Sequence, residues 1–157
     1  MPRRPGRRAN GELPHVIEIE TQNRSGDEVG EQAAIELARR VLGEEGVADG
    51  ELGIAFVGPQ EIRELKREHL GIDEATDVLS FPLDGRDELP TGTPRALGDV
   101  VLCPAVVGEA WRGPLVHGLL HLLGFDHSDP TEKAEMFGLK DTILASWADG
   151  PREPVTL

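Results

Sequence analysis

The chain has a single cysteine, Cys103, in 157 residues. An internal disulfide is therefore excluded, as suits a reducing compartment. Long apolar runs are also missing: none approaches the roughly 20 residues that a membrane-spanning helix needs. The start, Met1-Pro-Arg-Arg-Pro-Gly-Arg-Arg, is positively charged but no apolar segment follows it, so no secretory signal is expected. Basic residues are scarce, with 16 Lys and Arg against 29 Asp and Glu and a net charge of −13. Four arginines fall in the first eight residues, which leaves −17 on residues 9–157. This balance argues against broad, charge-driven binding to nucleic acid and leaves room only for a local basic groove.

What is present reads as one domain with one core. Residues 1–14, with Pro2, Pro5, Gly6, Gly11 and Pro14, read as a disordered basic tail; 15–148 as a single domain; 149–157 as a C-terminal tail. Strands are expected over His15–Thr21, Leu52–Val57, around Val78–Phe81 and over Gly98–Cys103. Helices are expected over Glu28–Leu42, with Ser25 or Asp27 as N-cap, and over Glu61–Leu70 after Pro59. Ala105–Ala110 offers a helical turn. A helix led by Pro114 then runs to about Leu123, and a last one, capped by Asp129, runs from Pro130 to about Trp147. Cys103, in a strand largely buried by composition, reads as a core residue. The order βαβα, two strands, then helices predicts an α+β fold with a small mixed sheet of about four strands packed with helices.

The residues that carry chemistry lie in His117-Gly-Leu-Leu-His121-Leu-Leu-Gly124-Phe-Asp126-His127. His117 and His121 are four apart, so on a helix they share one face. Gly124 can take the positive φ that ends a helix and turns the chain back, bringing His127 to the same point. Three neutral imidazoles leave one tetrahedral position of a single Zn²⁺ open, as catalytic sites require. Imidazole also suits Fe, Ni and Cu. Asp126 is placed to orient an imidazole, act as a base or cap the turn. The pattern overlays the metzincin protease signature H-E-x-x-H-x-x-G-x-x-H except at one position. The glutamate that is the general base there is Gly118 here.

Three blocks together resemble the YbeY family of bacterial rRNA maturation factors. They are Thr76-Asp77-Val78-Leu79-Ser80-Phe81-Pro82, Gly98-Asp99-Val100-Val101-Leu102-Cys103 and the histidine block, followed by Met136 and Ile143-Leu144. The resemblance spans about 15–148. It implies a cytoplasmic, single-strand-specific endoribonuclease that binds zinc through His117, His121 and His127. It also implies a role in 16S rRNA 3′-end maturation and ribosome quality control, with small-subunit proteins and an assembly GTPase as partners and no membrane. Asp77 and Asp99, with Asp126, are candidates to orient a ligand or the hydrolytic water. Many family members carry an RNA-handling arginine six residues before the Thr-Asp-Val block, where this chain has Leu70. Arg63, Lys66 and Arg67 on the preceding helix are the candidate substitutes for binding substrate. The 104–116 segment is also shorter than the helix usual there. Two other readings stay open: a zinc metalloprotease-like hydrolase, disfavoured by Gly118, and a non-catalytic, zinc-stabilised ribosome assembly factor, favoured by the acidic surface and Leu70.

Overall fold

The computed structural model describes residues 16–125 and 130–149. The tail expected over 1–14, nearly all of that expected over 149–157, and the cap expected at Asp129 lie outside these residues. The four strands are β1 (Ile17–Asn23), β2 (Gly50–Phe56), β3 (Val78–Pro82) and β4 (Ala96–Leu102), in the sheet order β1-β2-β4-β3. β1, β2 and β4 run parallel, and β3 lies antiparallel on the outer edge of β4. The sheet is mixed and the architecture α+β, as the order of elements predicts.

Alternation along β3 and β4 decides what each face meets. Ser80 pairs with Val100 on one face, and Phe81 pairs with Asp99 on the other. The first face carries the main core. Helix α1 (Glu31–Glu44) supplies Leu37, Ala38, Val41 and Leu42 to it, and α4 (Arg112–Leu122) supplies Leu115, Val116, Leu119 and Leu120. Helix α5 (Pro130–Asp149) closes it with Met136 and Ile143. The second face is covered by α2 (Pro59–Leu70), whose Ile62 packs with Val57, Leu79, Val101 and Cys103. Cys103 is fully buried there.

Two expectations shift. Helix α1 starts at Glu31, with Gly30 at the N-cap and no side-chain cap. The residues expected to cap it are engaged in a turn instead: the Ser25 amide and hydroxyl donate to Asn23 Oδ1 (3.0 and 2.6 Å), and the Asp27 amide donates to Ser25 Oγ (3.0 Å). Second, Pro114 does not open the histidine helix. A single turn, α3 (Pro104–Val107), leads through a 3₁₀ turn (Gly108–Ala110) into α4 at Arg112. Pro114 is tolerated in that first turn because its missing N–H would have had no helical partner. The approach to the histidines is as short as the sequence suggests.

Helix α4 is apolar on nearly every side because it is wedged between the sheet, α1 and α5. Its two histidines break that pattern on the remaining face.

Candidate metal centre

The Nε2 atoms of His117 and His121 stand 3.1 Å apart. Two ligands held at about 2.05 Å from a tetrahedral ion would be about 3.3 Å apart, so the pair fits one zinc. The helix end fixes the second ring. Gly124 adopts φ 100°, the Gly124 amide donates to the His121 carbonyl (3.0 Å) and the Phe125 amide reaches back to the Leu120 carbonyl (3.1 Å). This is a Schellman cap. It swings the Phe125 carbonyl to 2.8 Å from His121 Nδ1. A carbonyl can only accept, so Nδ1 carries the proton and Nε2 presents its lone pair toward His117. The cap glycine therefore both ends the helix and sets the tautomer of His121. Asp126 and His127 lie outside the described residues, so the third expected ligand and that candidate base have no described position.

The histidines open into a cleft of about 720 Å³ between α4, β3, α2 and α5. Asp77 lines it, and its backbone carbonyl accepts from the Cys103 amide (3.0 Å), which fixes the start of β3. The Thr76 hydroxyl donates to Asp77 Oδ1 (3.4 Å). Asp99 is not brought to the histidines. It sits on the α2 face of β4, where a side chain added at Gly53 would collide with its carboxylate. Partial desolvation there pushes its pKa up.

The three basic candidates of α2 separate. Lys66 lines the cleft, its side chain only 14% exposed, with Nζ 3.4 Å from Glu74 Oε2. Arg63 and Arg67 point to a different depression and face Asp73 at 2.7 and 4.0 Å. The Arg63 guanidinium holds the Asp73 carboxyl below its ordinary range. Leu70 also lines the cleft and is 59% exposed. Two lining residues escaped the sequence reading: Phe137 and Lys140 of α5, three apart on one face beside the buried Met136. The signal available was spacing alone, since Met136 fixes which way that helix turns.

The family model for "Endoribonuclease YbeY" matches residues 17–148. The chain belongs to the YbeY endoribonuclease family. Among curated relatives of that name, the Salinispora tropica protein is 39% identical over 151 residues, covering 83% of this chain and 96% of the relative. The Mycobacterium ulcerans protein is 37% identical over 148 residues, covering 83% of each. The solution structure of TM1509 from Thermotoga maritima is similar with a TM-score of 0.52 and 26% identity, over 85% of this chain and 93% of that one.

Within this YbeY-family fold, Gly118 has a packing reason. A Cβ at 118 would lie 2.9 Å from Val100 Cγ1, 3.0 Å from Ser80 Oγ and 3.3 Å from Val78 Cγ2. The Ser80 hydroxyl donates to the Gly118 carbonyl (3.0 Å). Position 118 thus faces the sheet at close range, and a protease-type glutamate would enter the core rather than the cleft.

Proposed function

We propose that this chain is a zinc-dependent, single-strand-specific endoribonuclease acting in 16S rRNA 3′-end maturation and ribosome quality control in the cytoplasm. One observation carries the reading: two imidazoles converge at 3.1 Å in a cleft that also holds Lys66, Asp77 and Lys140. Membership of the YbeY family supports RNA as the substrate. His117 and His121, with His127, would hold one zinc ion. A zinc ion in that place supplies Lewis-acid chemistry to a phosphodiester. The chain's own groups do the rest. His121 is held in one tautomer by Phe125, so its Nε2 stays a lone-pair donor. Asp77, just before β3, lines the same cleft, which supports it as the carboxylate that orients the hydrolytic water. Small-subunit proteins and an assembly GTPase are the further partners this role entails. No helix among the described residues is long and apolar enough to cross a membrane.

The test is cleavage of single-stranded RNA by the purified, zinc-loaded chain, with a duplex of the same sequence as comparison. Cleavage of the single strand, lost in His117→Ala, is expected. Folded, zinc-replete protein that leaves RNA intact would overturn the enzymatic reading, and rescue of 16S 3′-end processing in cells by His117→Ala would favour the non-catalytic assembly factor. Peptide cleavage lost on chelation would instead revive the protease reading.

A further inference from the structure

The cleft's chemistry contradicts the charge of the chain around it. The protein carries −13, yet the histidine cleft is lined by Lys66 from α2 and Lys140 from α5, with Asp77 its one carboxylate among the described lining residues. On α5, Phe137 and Lys140 are three apart and so share a helix face. The Phe137 ring lies 6.0 Å from the His117 ring, tilted 39° to it, and the Lys140 ammonium stands 4.8 Å from the Phe137 centroid. An aromatic face next to the histidine pair, with a cation over it, matches what unpaired nucleic acid offers: a flat base and a phosphate joined through one ribose.

We propose that Phe137 and Lys140 form the strand-binding wall of this site, Phe137 stacking the base next to the cleaved linkage and Lys140, together with Lys66, binding its phosphate. This rests on the endoribonuclease reading and deepens it. Stacking needs a base that is not paired and stacked in a duplex, so the wall selects single strands. Every base has a π face, so it selects no sequence. Lys140 holds the ring face while the cleft is empty and moves to the phosphate when a strand enters. Lys66 stands one helical turn before Leu70, on the same face of α2, and brings an ammonium to the cleft wall that Leu70 leaves uncharged. Two local cations inside an otherwise acidic surface also guide the phosphate chain to this cleft and away from the rest of the protein.

The experiment measures anisotropy of a labelled 2′-O-methyl single-stranded oligonucleotide on the zinc-loaded chain at several salt concentrations, alongside kcat and KM on RNA. Phe137→Leu, which keeps an apolar group of similar reach, is expected to weaken binding about tenfold with the salt slope unchanged. Phe137→Tyr keeps the ring and should keep the affinity. Lys66→Gln and Lys140→Gln should each flatten the slope of log affinity against log salt by about 0.7. All three losses should appear in KM with kcat largely retained. Wild-type binding by Phe137→Leu, or an unchanged salt slope in both lysine variants, overturns the proposal and leaves the endoribonuclease reading standing. A wild-type chain that neither binds nor cuts single strands overturns both.

Discussion

The Ser80 hydroxyl and the Gly118 carbonyl are joined by a 3.0 Å hydrogen bond that ties β3 to the histidine helix between His117 and His121. β3 is an edge strand, so this bond holds the cleft wall that carries Asp77 against the helix that carries the imidazoles. Ser80→Ala is expected to cost about 1 kcal/mol of stability, the net worth of one such bond. Zinc affinity should fall with it, because the helix loses a fixed neighbour. Denaturant unfolding and a zinc titration of the same variant check both.

Gly118 is the tighter half of that contact. Adding even one methyl there forces Val100, Ser80 or Val78 to yield, at a cost of about 1–3 kcal/mol. Gly118→Ala should lower the melting temperature without removing zinc. Gly118→Glu should fold poorly and gain no peptidase activity. Appearance of chelator-sensitive peptidase activity in Gly118→Glu would show that the position can reach the cleft after all.

Zinc should stabilise the folded chain through the histidine pair. At a free concentration 100 times the dissociation constant, binding to the folded form alone contributes about 2.7 kcal/mol. The melting temperature should therefore climb with added zinc in the wild type and stay flat in His121→Ala. A parallel climb in His121→Ala would place the ion elsewhere.

Asp99 carries a stability cost at neutral pH. Its folded pKa is raised above the unfolded value by desolvation, so the fold disfavours its charge. The cost is present in full above the folded pKa and vanishes as pH falls below the unfolded one. Asp99→Asn should thus raise the melting temperature at pH 7, with the gain shrinking through the mildly acid range. A gain that is constant across pH would mean that the carboxylate's charge is not its source.

Arg63 and Arg67 face Asp73 in a depression apart from the histidines. Arg63→Gln is expected to leave KM for RNA unchanged under conditions where Lys66→Gln raises it several-fold. Equal effects from the two substitutions would extend the strand's path along α2.

The main lines of this arrangement were legible in the sequence where one residue type has one use. Alternation marked the first strand and apolar composition the later ones, and Pro59 and Gly71 bounded α2 because each has a single cheap place at a helix end. The H-x-x-x-H spacing gave the facing imidazoles. The reading failed where several partners compete for one group. Ser25 and Asp27 can cap a helix or close an Asx turn, and Asn23 at the end of β1 tips them to the turn. Arg63, Lys66 and Arg67 look alike in sequence, and only the position of Asp73 and Glu74 after Gly71 separates them. Asp99 sits in a recurrent block, but alternation along β4 sends it to the α2 face. Phe137 and Lys140 carried no motif, and their place depended on how α5 folds back over α4.

Helix α4 leaves almost no residue uncommitted in its central turn. Gly118 meets the sheet, Leu119 and Leu120 fill the core, and His117 and His121 face the cleft. Apart from the two histidines, a change in that turn would disturb packing against the sheet or the core. Adaptation to a different RNA can therefore proceed only on the walls that α2 and α5 contribute, where Leu70, Lys66, Phe137 and Lys140 stand. In an engineering campaign those four positions are the ones that can be randomised while α4 is left untouched.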